Sequence, residues 1–347
     1  MKTVKLGIVG CGGIAQAHCR AIAEIEGVKI VAACDILEEP MTRTAERWGI
    51  EKTYFDYNDL VKQEDLDGVL VCTPTAVHAG PSIAALKAGK HVLSEKPMEA
   101  SRKAAAEMVE AAQESGLILM VALKLRFTPQ VIKAKEIIDA GVLGEIYYAE
   151  TVADRRRGNP GGNFIKKDTA GFGAAADIGV YALDTALYLM GHPKPVAVSG
   201  ITSNYLSQHN TWNPALKKTE VEDFACGWVL FENGARLVFK TCWCMNMDSL
   251  GGTIFLGKKA GLRIGIGEVR GPSEGVWLYR DEFGQPTDIQ VPTPGRVDVF
   301  QAEDAAFVDA VREGKPSPID PAGMLLTNVI IQGVIDSQQA NGREVEV

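Results

Sequence analysis

The stretch Val4-Lys5-Leu6-Gly7-Ile8-Val9-Gly10-Cys11-Gly12-Gly13-Ile14-Ala15 decides how this chain is read. Residues 4–9 form a short apolar run ending at glycine, the mark of a buried strand. Residues 13–26 then take helical spacing, with Ile14, Ala17, Ala21, Ile22 and Ile25 apolar. The pattern between them is Gly-x-Gly-x-x-Ala. Gly10 permits a tight turn after the strand, Gly12 lets a pyrophosphate approach the backbone, and Ala15 keeps helix and strand close. Gly13 and Ile14 open the helix, whose first N–H groups would face the phosphates. Asp35 stands 20 positions beyond Ala15, at the end of a second apolar run, Val28 to Cys34. That is the place of a ribose-binding carboxylate. Its charge opposes a 2'-phosphate and Ile36 adds no cation, so NAD is expected rather than NADP. The same residues also describe a tight turn with no ligand and a turn-forming aspartate. Strand, glycine turn, helix and distant acid in that order favour the dinucleotide.

Working outward, strands are expected at 68–72, 90–93 and 117–122, and helices at 37–48, 81–88 and 101–115. The strands are apolar on both faces, which predicts a doubly wound parallel sheet covered by helices on both sides. Residues 1–124 therefore read as a Rossmann α/β domain. Beyond it the texture changes. Helical spacing covers 129–140 and 177–190, and strand patterns cover 145–154, 196–203, 221–231, 234–243, 251–256, 261–265 and 275–280. Glu232-Asn233-Gly234 marks a hairpin, and two helices, 299–313 and 322–340, close the chain. Residues 125–347 read as an α+β domain with a large, mostly antiparallel sheet. Its helices are too few to cover both faces of that sheet, so a homodimer or homotetramer is expected.

Bulk properties set outer limits. The chain has 347 residues, 46% hydrophobic and 23% charged, and a net charge of -8. That is ordinary globular composition without a basic field for nucleic acid or anionic lipid. No apolar run is long enough to span a bilayer. Seven cysteines without framework spacing predict reduced thiols and a cytoplasmic location. Cys242 and Cys244 lack companions for a zinc site, and no metal is expected.

Candidate chemical groups stand at the ends of the expected strands. Thr73-Pro74 and His78 follow the third strand, where ligands bind in open parallel sheets. His78 alone also reads as a capping or packing residue. Glu95-Lys96-Pro97 follows the fourth strand. Pro97 restrains the local backbone and permits a cis bond, and Lys96 by itself is otherwise a surface lysine. In 177–190, Asp177, Tyr181, Asp184 and Tyr188 share one helix face, directed to solvent or to a cleft. Arg126, Arg156 within Arg155-Arg156-Arg157, and Asn163 are candidate substrate binders. The arginines equally describe a solvated strand end. Trp243 is a candidate pocket-lining residue.

These motifs together resemble the Gfo/Idh/MocA oxidoreductases, the glucose-fructose oxidoreductase and inositol dehydrogenase group. The resemblance runs over nearly the whole chain, through Glu303-Asp304-Ala305-Ala306-Phe307 and Gly314-Lys315-Pro316, and Glu95-Lys96-Pro97 is its most specific element. It implies NAD bound by Gly10, Gly12, Gly13, Ile14, Ala15, Asp35, Thr73, Pro74, His78, Glu95 and Lys96. It implies a catalytic set of Lys96, Asp177 and Tyr181 acting on a sugar, glycoside or polyol hydroxyl in a pocket between the domains. Many such enzymes carry histidine where this chain has Tyr181, which resembles instead glucose-fructose oxidoreductase, the dimeric dihydrodiol dehydrogenases and some aldose dehydrogenases. Oxidising an alcohol needs a base for the hydroxyl proton as hydride leaves carbon. A lysine ammonium beside a phenol favours tyrosinate, so Lys96 would make Tyr181 a better base. Two other functions share the same residues: a glycosidase using bound NAD by transient oxidation, and a non-catalytic sugar sensor. The retained Lys96, Asp177 and Tyr181 argue against the sensor.

Overall fold

The computed structural model describes residues 3–265 and 275–347. The chain forms two compact units, Met1–Lys124 with Asp298–Leu325, and Leu125–Val297 with Leu326–Val347.

The first unit is built on six parallel strands. They are β1 (Val4–Val9), β2 (Val28–Cys34), β3 (Lys52–Tyr54), β4 (Gly68–Val71), β5 (His91–Ser94) and β6 (Leu119–Val121), in the order β3-β2-β1-β4-β5-β6. The helices between them are α1 (Gly13–Ala23), α2 (Glu38–Trp48), α3 (Tyr57–Leu60), α4 (Ala79–Lys87) and α5 (Arg102–Ser115). The strand order reverses between β1 and β4, so their C-terminal ends open the crevice where such sheets take ligands. Leu6, Ile8, Val69, Leu70, Val92 and Leu93 are buried, as both-face-apolar strands require. β3 and α3 were not expected from the sequence. They are short, and at the sheet edge most of their residues are exposed, so no apolar period announces them.

In the second unit α6 (Pro129–Asp139) precedes β7 (Ile146–Asp154). Three short helices follow: α7 (Lys167–Ala170), α8 (Ala174–Asp177) and α9 (Gly179–Leu189). Then come β8 (Pro195–Ser203), α10 (Tyr205–His209), β9 (Phe224–Phe231), β10 (Arg236–Cys242), β11 (Thr253–Gly257), β12 (Gly261–Gly265), β13 (Gly275–Glu282) and β14 (Gln285–Val291). With β15 (Val345–Glu346) they make a nine-stranded sheet, ordered β14-β13-β12-β11-β7-β10-β9-β8-β15. Only β7 and β10 run parallel; the other pairs are antiparallel.

The tail helix α11 (Val299–Glu313) corrects the sequence-based boundary, which gave all of 125–347 to the second domain. α11 packs on α1 and β1 in the first unit. Its buried stripe is Glu303, Asp304, Phe307, Val308 and Ala310, and a stripe records that a helix packs without saying on what. The last helix, α12 (Pro321–Gln339), follows the expected span closely. No helix among the described residues is long and apolar enough to cross a membrane, and they hold no cluster of three or more possible metal ligands. All seven cysteines are free thiols.

Candidate active site

In the first unit the glycine turn follows β1 at the sheet's C-terminal edge. Gly10 has φ of +89°, and a Cβ there would lie 2.6 Å from the Cys72 carbonyl group. Only glycine suits both its conformation and this close crossing of the β4 end. Gly12 and Gly13 differ: a Cβ on either would meet nothing within 4 Å. α1 starts at Gly12 with no side-chain cap and no acid in its first turn. Its N–H groups are left for an anion. The Asp35 carboxylate accepts from Cys11 N at 2.7 Å and Leu37 N at 2.9 Å, which holds it beside the same turn. A carboxylate has about four acceptor positions, so ribose hydroxyls can still be accommodated. Thr73 Oγ1 is buried without a hydrogen-bond partner among the described residues. An open glycine turn, an uncapped helix start, a clasped aspartate and an orphaned hydroxyl fit a dinucleotide.

The turns after β4 and β5 are locked together. His78 is buried, with Nδ1 2.9 Å from Pro97 O and Nε2 2.9 Å from Thr73 O. Both ring nitrogens therefore face backbone carbonyls. The ring holds the turns after β4 and β5 together at the place where a cofactor contact is expected of it. Glu99, also buried, accepts from Ala79 N at 2.9 Å and ties the start of α4 to the same loop. The Lys96–Pro97 bond is cis, and Lys96 is half-buried. Glu95 turns inward: Oε2 accepts from Lys96 N at 2.9 Å, and Oε1 lies 3.1 Å from His18 Nε2. Its carboxylate thus holds the Lys96 backbone and His18 together.

His18, Glu303 and Asp304 had no role in the sequence analysis. His18 Nδ1 sits 2.9 Å from Asp304 Oδ1, completing a buried line from Glu95 to α11. The available signal was position: His18 falls within the buried stripe of α1 (Ala15, His18, Cys19, Ala21, Ile22), where a polar residue needs a partner.

In the second unit the expected helix 177–190 is two pieces, broken at Ile178. Ala174, Ile178 and Ala182 sink into a cluster with Ala153, Ile165, Val221, Trp243 and Cys244, which anchors both pieces. Asp177 ends α8, and Tyr181, 5% exposed, lies one turn into α9. Trp243 Nε1 donates to Asp177 Oδ2 at 2.8 Å, and Arg155 Nη1 stands 3.8 Å from the same oxygen. Trp243 is fully buried, so it orients Asp177 and has no face for a sugar, correcting the pocket-lining role expected of it. Of the three arginines it is Arg155 that reaches Asp177; Arg156 is exposed. Asn163 is exposed too, and its backbone carbonyl accepts from Thr169 Oγ1.

Below α8 a buried carboxylate sets the helix start. Glu222 Oε1 accepts from Gly173 N at 2.7 Å and Ala175 N at 3.1 Å. Burial pushes the Glu222 carboxyl up to about 7. A Cβ on Gly173 would lie 1.9 Å from the Glu222 carbonyl oxygen, so only glycine lets these segments meet. Farther along α9 the polar face is neither solvated nor open. Arg126 forms a two-pronged pair with Asp184, Nη2 to Oδ1 at 2.6 Å and Nε to Oδ2 at 3.0 Å, and its guanidinium lies 4.5 Å from the Tyr188 ring centroid. Both charges are buried. Arg126, expected to bind substrate, gives its Nε and Nη2 to Asp184 within this unit.

Comparison with known proteins agrees with this construction. Residues 4–123 match the family model described as an oxidoreductase family with an NAD-binding Rossmann fold, and residues 131–263 match the GFO/IDH/MocA C-terminal domain. The chain is similar to D-glucoside 3-dehydrogenase of Escherichia coli (strain K12), 32% identical over 268 residues, with 74% of this chain and 76% of the relative covered. It is also similar to scyllo-inositol 2-dehydrogenase (NAD(+)) of Bacillus subtilis (strain 168), 30% identical, with 65% and 66% covered. Among solved structures, aldose-aldose oxidoreductase from Caulobacter crescentus, complexed with glycerol, superposes with a TM-score of 0.82 at 25% identity over the full length of both chains. A levoglucosan dehydrogenase in complex with NADH shares the fold, with a TM-score of 0.85 at 22% identity over 100% of this chain and 99% of that one. The family models span both units and the relatives cover most of the chain, so this protein belongs to the Gfo/Idh/MocA family of NAD-binding oxidoreductases.

Proposed function

We propose that this protein oxidises a hydroxyl carbon of a sugar, glycoside or polyol, with NAD as its cofactor and Lys96 and Tyr181 serving the hydroxyl proton. One observation carries the reading. The glycine turn after β1, Thr73-Pro74 after β4 and Lys96 after β5 stand at the C-terminal ends of three adjacent parallel strands. A dinucleotide laid on that edge has a lysine where its reactive end would lie. The sugar and inositol dehydrogenases among the relatives support the substrate class.

The residues divide the work. NAD, when bound, supplies the acceptor for hydride. Gly12, Gly13 and the start of α1 hold the pyrophosphate, and Asp35 accepts the adenosine ribose hydroxyls. Ile36 and Leu37 after Asp35 are exposed and uncharged, which favours NAD over NADP. Lys96 donates to the reacting hydroxyl oxygen and stabilises negative charge as it develops. Tyr181 as tyrosinate accepts the hydroxyl proton and becomes the phenol, and the phenol returns that proton when the reaction runs toward reduction. Asp177, held by Trp243 and Arg155, accepts from a neighbouring substrate hydroxyl.

A panel of aldoses, alkyl glucosides and inositols, followed at the NADH absorbance, tests the reading. Substrate-dependent NADH formation is the expected result. Failure of every sugar and polyol, with NAD shown to bind, would overturn it. Cleavage of a glycoside without net NADH would move the assignment to a redox-neutral glycosidase.

A further inference from the structure

The buried line Asp304–His18–Glu95 takes no direct part in the chemistry proposed above, yet it ends on the residue that does. His18 presents Nδ1 to Asp304 Oδ1 at 2.9 Å and Nε2 to Glu95 Oε1 at 3.1 Å. The other Glu95 oxygen accepts from the Lys96 backbone N–H at 2.9 Å. All three linked side chains are almost wholly shielded from water. With a carboxyl oxygen at each ring nitrogen the geometry favours the doubly protonated imidazolium, while burial raises the Asp304 carboxyl above its ordinary range. Burial works against the imidazolium charge, but the Asp304 and Glu95 carboxylates outweigh it and hold His18 well above the usual histidine range. Glu95 in turn is held below the usual carboxylate range: burial opposes its charge, and His18 and Lys96 overcome it. The other groups facing the line are Glu303, Asp298, Lys124 and the Cys19 and Cys72 thiols. Glu303 has no partner for either oxygen among the described residues, and burial lifts its carboxyl well above the ordinary range. Phe300 closes the line with its ring edge-on to His18, 5.7 Å between centroids.

We propose that Asp304–His18–Glu95 is a positioning relay, through which α11 holds the Glu95 carboxylate on the Lys96 backbone and so sets where the Lys96 side chain stands for the reaction. The proposal rests on the role given to Lys96 above. Three ionisable groups in an apolar contact carry a desolvation cost that well-packed apolar residues would avoid. What apolar residues could not do is pull one Glu95 oxygen toward α11 while the other grips the next peptide. His18 and Asp304 are positioning residues; neither touches the reacting atoms.

The test uses the full chain. Nitrogen-15 NMR of the five histidines, assigned with His18→Gln, reads the ring directly. A doubly protonated His18 at pH 8 is expected, and a neutral ring would overturn the relay. In His18→Gln the Lys96 amide should lose hydrogen-exchange protection, and kcat should fall roughly 10²-fold while NADH affinity changes less than about threefold, because a small misplacement costs rate rather than binding. Imidazole added to His18→Ala should restore part of kcat. Asp304→Asn, which keeps the shape of the side chain, should show the same split more mildly. Wild-type kcat in His18→Gln would refute the proposal. So would a loss of rate matching a loss of NADH-binding sites, which is the mark of a merely structural role. Should the wild-type protein oxidise no sugar, the functional reading fails, and the ring charge and Lys96 exchange still decide the relay.

Discussion

The nucleotide edge of the first unit and the Asp177 corner of the second are built in opposite ways. The first is local: Gly10, Gly12, Gly13 and α1 are consecutive, and Asp35 reaches back across one strand to Cys11 N. Backbone conformation and the absence of Cβ atoms shape it. The second is convergent: Arg155, Asp177, Glu222 and Trp243 arrive from four separate segments, and buried side chains shape it. A site made of backbone tolerates little change at a few glycines. A site made of buried side chains spreads its dependence over residues that never touch a ligand.

That contrast breaks or sharpens on mutation. The largest effects are expected at the two residues proposed to serve the hydroxyl proton. Lys96→Met and Tyr181→Phe should each lower kcat by roughly 10²–10⁴-fold, the range of general acid–base catalysis. The double variant should be far less than multiplicatively worse, since residues acting as a unit are not additive. Wild-type turnover in Tyr181→Phe would transfer the proton to another group. Next comes Asp35→Ala, which should raise KM for NAD by about 10- to 100-fold, as loss of hydrogen bonds to a charged acceptor does. KM for NADP should move much less, so the ratio of kcat/KM for the two cofactors narrows; an unchanged ratio would remove Asp35 from cofactor selection. Trp243→Phe tests the convergent corner. Losing the N–H on Asp177 should cost about tenfold in kcat with cofactor affinity intact, and a changed NADH Kd would contradict the division of labour.

The smallest effect is on stability. The Glu222 carboxyl sits at about 7 in the fold against an ordinary value of 4.5. Between those pH values the native chain keeps a proton that the unfolded chain has lost. Stability therefore falls as pH rises through that window and levels off above it. Glu222→Gln keeps the oxygen that accepts from Gly173 and Ala175 but cannot ionise. Its Tm should gain on the wild type by a few degrees between pH 5 and pH 7.5, then run parallel. A gap that is constant with pH would show that Glu222 is not protonated in this way.

The local site was legible in the sequence because each of its parts is a neighbour of the next. The strand, the turn and α1 declare themselves within residues 4–23, and the apolar runs after them declare the parallel sheet. The convergent site was legible only in its reactive groups. Asp177 and Tyr181 carry a recognisable motif, but a motif does not say that Trp243 lies beneath it as a donor or that Glu222 caps α8. The break at Ile178 was hidden because α8 and α9 keep helical spacing across it. Arg126 misled for a related reason. Its charge reads as a ligand binder, and the sequence does not show that Asp184 takes its Nε and Nη2. His18 and Asp304 were written into their helices as polar residues on buried stripes, but no local pattern says that the two stripes meet.

The chain leaves the first unit at Lys124 and re-enters it at Asp298. On the ribosome, Asp304 emerges 286 residues after the histidine it must meet. All six strands of the nucleotide sheet exist by then, with Glu95 and His18 already in place in the order of synthesis. Until α11 is made, α1 lacks the helix that packs on it and His18 lacks Asp304. The first unit is thus finished only after residues 125–297, the body of the second unit, have been made. A polypeptide stalled at Val297 carries every element of the sheet and lacks the piece that closes it.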